Sequence, residues 1–226
     1  MSEQLILISF GAFIGLITGV LGRVIYDSIL IGHKSSKILN GIINELKVVK
    51  MEYLFNIYLL YSRYQLLTRE NINWLINNFE EYRDTEDVSN ILNFLSTLQN
   101  GSDQQLATIN INRRNASIGK SLIPKKIRHM FIEKHLDNLD LYEVDCQYKL
   151  IKIMKGIDRL NQQIDVAQIY DMKTFEITDP GNHSRVIANV DISLKKLGEW
   201  EKMSVDEISD FIRNYETIDV SYKFQI

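Results

Sequence analysis

The sequence predicts a mainly α protein, with an N-terminal single transmembrane helix followed by a cytoplasmic multi-helix bundle and a short C-terminal β-strand pairing. Three observations carry that expectation. Leu5 to Gly22 is a run of 18 residues without a charged side chain. Most of the remaining apolar residues recur at intervals of three and four, the spacing of a helix face. The last ten residues, Thr217 to Ile226, alternate apolar and polar five times, the period of a strand. Composition narrows the class further. With 226 residues, 45% hydrophobic, two Pro and one Cys, the chain is neither disordered nor a disulfide-rich scaffold. A net charge of −3 gives no global drive toward nucleic acid.

The leader comes first. Eighteen helical residues span about 27 Å, close to the roughly 30 Å hydrocarbon core, and continuation to Gly32 allows tilt. Arg23 and Asp27, at i and i+4, can pair at the interface. A signal peptide fits less well, because MSEQ has no basic residue, the apolar run is long and no small-residue cleavage site follows. Residues 1–32 are therefore read as an anchor and 33–226 as one bundle domain. Arg23, His33, Lys34 and Lys37 follow the run, whereas only Glu3 precedes it, so the positive-inside rule places the bundle in the cytoplasm, at a plasma (inner) membrane. The unpaired Cys146 agrees with a reducing compartment. Gly11, Gly15 and Gly19 stack on one face at four-residue spacing, a pattern that lets membrane helices approach closely and predicts a homo-oligomer through the transmembrane helix.

The bundle follows in order. Ile38, Ile42, Leu46, Val49, Tyr53 and Ile57 mark a long helix to about residue 66, with Gly32 and Gly41 as expected bends. Thr68 caps the next helix, Thr85 precedes the acids Glu86 and Asp87 of another, and Asn100-Gly101 is read as its left-handed stop. Ser102 and Gln105 offer a capping box. Residues 108–124 look like a long polar loop with a brief strand at Ile109 and Ile111, and a helix bearing Ile127, Met130, Phe131 and Leu139 comes next. Asp140 and Glu143 open a long helix with Val144, Ile151, Met154, Ile157, Leu160, Ile164 and Ala167 on one face. DPGN at 179–182 reads as a turn. Two more helices are expected, one from Ser184 to Trp200 and one opened by a Ser204–Glu207 capping box. Paired inside the fold, the C-terminal strand would complete a small sheet; unpaired, it could be donated to another chain.

Chemistry is sparse in this sequence. The phosphate-loop, dinucleotide-fold, zinc-hydrolase, nucleophile-elbow and Cys-pair motifs are all missing, so no enzyme activity, cofactor or metal is expected. His129 and Glu133 share a helix face, but two ligands without a third do not make a metal site, and they are read as solvated surface. Cys146, among acids, is read as a packed thiol. The remaining signal is electrostatic: Arg113, Arg114, Lys120, Lys125, Lys126 and Arg128 form a run of six cations without an acid. Such a patch suits membrane lipid or an acidic protein surface, and without interleaved aromatics it suits nucleic acid poorly. The function expected is non-enzymatic association with a protein partner at the membrane, as a scaffold, sensor or adaptor. The alternative is a membrane-acting effector whose anchors oligomerise and perturb the bilayer.

Overall fold

The computed structural model describes residues 2–117, 123–176 and 179–216, and along the first helix its side chains from residue 18 onward. The protein is mainly helical, with no strand among the described residues. Seven α-helices are present there: α1 (Ser2–Arg63), α2 (Arg69–Phe79), α3 (Glu86–Asn100), α4 (Asp103–Ser117), α5 (Met130–Lys134), α6 (Val144–Glu176) and α7 (Pro180–Tyr215), with 3-10 turns at Glu80–Tyr82 and Leu136–Leu141. The predicted C-terminal strand, 217–226, lies outside the described residues.

The backbone of α1 runs 62 residues without interruption, about 93 Å at the helical rise. Gly32 and Gly41 do not break it. Gly41 instead makes room: a methyl group built there would overlap the Phe131 ring, so this helix face accepts the aromatic only because it lacks a side chain. The helix stops where Gln65 takes a left-handed conformation (φ 60°) and Leu66 N–H donates to the Tyr61 carbonyl at 3.0 Å. Among the described residues no helix is long and apolar enough to cross a membrane. From residue 18 onward Arg23, Asp27 and Lys34 interrupt the apolar text, and the side chains of most of the predicted span lie outside that description.

Three long helices build the core. α7 packs along both α1 and α6, α2 and α4 lie on the flank of α1, and α3 packs on α2. Ile42, Leu46, Ile57, Ile157, Ile164, Ile208 and Leu75 are fully buried in one continuous cluster. Each such side chain contributes about 1.5–3 kcal/mol through removal from water. The predicted apolar face of α1 is the one buried. On α6 the expectation holds for Met154, Ile157, Leu160, Ile164 and Ala167 but not for Val144, which is 80% exposed, or Ile151.

Several boundaries differ from those the sequence predicts, each for a local reason. Residues 108–117 are helical, because Leu106, Ile109, Asn110 and Arg113 recur at three and four and meet α1; the Ile109/Ile111 alternation disguised that period. Residues 123–129 are irregular, and only Met130–Lys134 forms the expected helix. DPGN starts α7: Asp179 accepts Asn182 N–H at 2.9 Å, and Pro180 sits where no amide donor is needed. α7 then continues unbroken past Ser204, whose capping box does not form; Glu207 pairs with Lys152 at 2.8 Å instead. Thr68 caps α2 and Ser102 with Gln105 closes both bonds of its box, as expected. Gly101 is not left-handed (φ −74°), because the Arg69 guanidinium caps the carbonyls of Leu98, Gln99 and Gly101 from outside.

Candidate functional site

The six cations do not form one patch. Arg113 is turned into the bundle, donating to Tyr58 Oη at 3.0 Å and Ser62 Oγ at 3.1 Å with its guanidinium 4.0 Å from the Phe94 ring centre. It is a packing residue that joins α4, α3 and α1. Lys126 pairs with Asp165 of α6 at 2.5 Å, and Lys125 faces Glu52 of α1, whose carboxyl pKa burial raises although the cation partly opposes it. Arg114 and Arg128 are exposed, and Lys120 lies outside the described residues. Nearby acids of the fold are engaged with other cations, Glu81 with buried Lys50 at 2.7 Å and Glu80 with Arg83. Height matters as well. Glu52 and Ser62 stand 30 and 40 residues beyond Gly22 on α1, about 45 and 60 Å along the helix. A charged bilayer surface, were one to lie at Gly22, would act over roughly 8 Å at physiological salt, well short of those heights.

Residues 123–134 bridge α1 and α6. From α1, the Glu45 carboxylate accepts the N–H groups of Phe131 and Ile132, both at 2.8 Å, and so caps α5 from another helix. From α6, Asn161 both donates to and accepts from the Ile127 backbone, at 2.8 and 2.9 Å. Between the clamps His129 is 4% exposed, a buried residue where the sequence suggested surface. Its Nε2 lies 3.5 Å from Glu133 and 3.7 Å from Asp158. No cluster of three metal ligands occurs among the described residues. A cleft of about 430 Å³ opens between α1 and this bridge, with Phe55, Leu59, Ile123 and Pro124 as apolar walls and Asn56 at its edge.

A buried acid lies next to Asn56. Glu201 of α7 is fully buried, and its carboxyl accepts from Asn56 Nδ2 at 3.1 Å. Burial pushes its pKa up to about 8, and the Asn56 bond only partly opposes that. Its Oε2, like Tyr53 Oη and His129 Nδ1, has no hydrogen-bond partner among the described residues. The Tyr53 hydroxyl is raised above its ordinary value, first by burial and then by Glu201 and Asp158. No nucleophile faces a base here. The buried Cys146 thiol is pushed up to about 11 by burial and the neighbouring Asp145 and Glu143, so it stays protonated, as its packed position suggested.

No family model, curated protein or solved structure matches the chain. The functional reading therefore rests on this geometry alone. Its most unusual part is the free end of α1. From residue 18 to 31 every residue is exposed except Ser28, which is half-buried. Val20, Leu21, Val24, Ile25, Ile29, Leu30 and Ile31 are each about half exposed. Nothing lies within 4 Å of a Cβ built at Gly19 or Gly22, whereas Gly32 and Ser35 are already buried in the bundle. Arg23 and Asp27 form the expected pair, loosely, at 3.8 Å.

Proposed function

We propose that the protein is a membrane-anchored, non-enzymatic helical bundle that works by protein association at the cytoplasmic face of the membrane. One observation carries the reading: from residue 18 to 31, α1 leaves the bundle as a largely apolar rod that none of the other described residues covers. A soluble chain gains by burying such residues, and apolar side chains distributed around the helix suit hydrocarbon, with the exposed Arg23–Asp27 pair suited to its edge. The charge-free run at residues 5–22 extends it by the length a bilayer requires. Because the bundle begins at Gly32 with no linker, the anchor holds it upright against the membrane and raises its local concentration for partners in the same plane. The cationic flank at Arg23, Lys34 and Lys37 supports a cytoplasmic bundle.

The test is extraction. The full chain should resist alkaline carbonate and dissolve only in detergent, while a chain lacking residues 2–22 should be found in the supernatant. Equal behaviour of the two would refute the anchor. Protease added to right-side-out vesicles should leave the bundle intact; its digestion there would reverse the orientation.

A further inference from the structure

The outer face of α6 carries a second apolar stripe that the described residues leave exposed. Tyr148 is 67% exposed, Ile151 38%, Val166 38% and Ile169 48%. At 100° per residue these four fall within about 60° of one another, on the side opposite the buried Leu150, Ile157 and Ile164. Between the two apolar pairs the same face carries Lys155, Asp158, Arg159 and Gln162. Arg159 has no ion-pair partner among the described residues, and Asp158, whose side chain is 57% exposed, approaches the buried His129 imidazole, loosely at 3.7 Å.

This order is symmetric about the point between Asp158 and Arg159. We propose that the chain forms an antiparallel homodimer through the outer faces of α6, with the twofold axis crossing between residues 158 and 159. Tyr148 then meets Ile169 of the second copy, Ile151 meets Val166, and Asp158 meets Arg159, each contact occurring twice as a closed twofold interface requires. The central charges fix the direction. A parallel pair would set Lys155 against Lys155 and Asp158 against Asp158, whereas the antiparallel pair sets Asp158 against Arg159 and Lys155 against the neutral Gln162. The face is thus complementary to itself in one orientation only.

The consequence joins this contact to the anchor reading without depending on it. Tyr142 donates to the Ser35 carbonyl at 2.8 Å, which puts the start of α6 at the anchor end of the bundle. Antiparallel α6 helices therefore send the two α1 rods to opposite ends, so the dimer joins copies that face each other from two membranes. Neighbours within one bilayer would use a different surface, such as the glycine stripe of α1.

The test uses full-length protein in detergent, with Gly11, Gly15 and Gly19 changed to Ile and Cys146 to Ala. Tyr148→Cys and Ile169→Cys variants should crosslink when mixed and not when each is alone. Self-crosslinking of Tyr148→Cys would show a parallel pair, and no crosslink in the mixture would show no α6 dimer; either overturns the proposal. With the native cysteine retained, Asp158→Arg or Arg159→Asp should each weaken dimerisation about tenfold or more in sedimentation, and the double exchange should restore it. A double variant no better than the singles would also overturn it. Because every step is done in detergent, failure of membrane anchoring would leave these outcomes unchanged.

Discussion

Replacing Glu201 with Gln should remove a pH dependence that the native protein carries. The carboxyl is completely buried against Asn56, and its pKa rises from 4.5 to about 8 in the folded state. The folded protein therefore holds a proton that the unfolded chain has released, over the window from about 4.5 to 8. By linkage, stability is full below that window, falls as pH rises through it, and is lowest above pH 8. A displacement of that size sets a ceiling of about 5 kcal/mol on the loss. Gln reproduces the neutral acid: it keeps an acceptor for Asn56 and has nothing to ionise. The two proteins should be equally stable near pH 4, below the window, and the variant should be more stable at pH 9, by about 10–20 °C in melting temperature at the ceiling for a chain of this size. Urea or thermal unfolding of full-length protein in detergent, followed by near-ultraviolet circular dichroism at both pH values, measures this. Other groups titrate in both proteins, so the difference between them isolates Glu201. Equal pH profiles would show that Glu201 is not the buried acid described here.

Other substitutions probe the packing and the anchor. Gly41→Ala should destabilise by about 1–3 kcal/mol through overlap with Phe131, less the roughly 1 kcal/mol gained in helix propensity; in a Phe131→Ala background the same change should stabilise, and no sign change in urea midpoints would refute the contact. Arg113→Ala should cost about 2–3 kcal/mol, because it strands the Tyr58 and Ser62 hydroxyls and loses the Phe94 contact, while exposed Arg114→Ala should stay within about 0.5. Cys146 should resist alkylation at pH 8 until urea unfolds the bundle, since its thiol is buried with a pKa near 11; rapid labelling of native protein would contradict that burial. Changing Gly11, Gly15 and Gly19 to Ile should reduce crosslinked multimers in membranes, and undiminished multimers would mean another surface holds them.

The helical class and the buried faces of α1 and α2 were readable because they depend on period alone. The caps at Thr68 and Ser102 depend on residues three apart and were equally plain. The helix limits that failed were those set by partners far along the chain. Arg69 ends α3 from 29 or more residues away, Glu45 starts α5 from 86 away, and neither distance leaves a trace in local spacing. DPGN misled because the same residues that favour a turn also favour a helix start, and only the chain after Asn182 decides between them. The basic run looked like one site because charge was counted along the sequence. In space Arg113 is spent on aromatic packing and Lys126 on Asp165.

What the sequence alone determined is what depends on nearest neighbours: an uncharged apolar leader, the helical periods, the absence of catalytic motifs and a single cysteine among acids. What only the tertiary structure decided is what depends on which surfaces meet. It joins α1 into one rod, buries His129 and Glu201 without full partners among the described residues, sets the cations far along α1 from Gly22, and leaves one face of α6 uncovered by the described residues. The physical reason is the same in each case. Periodicity fixes which side of a helix is apolar, but burial, and with it pKa and exposure, is set only when another helix arrives to cover that side.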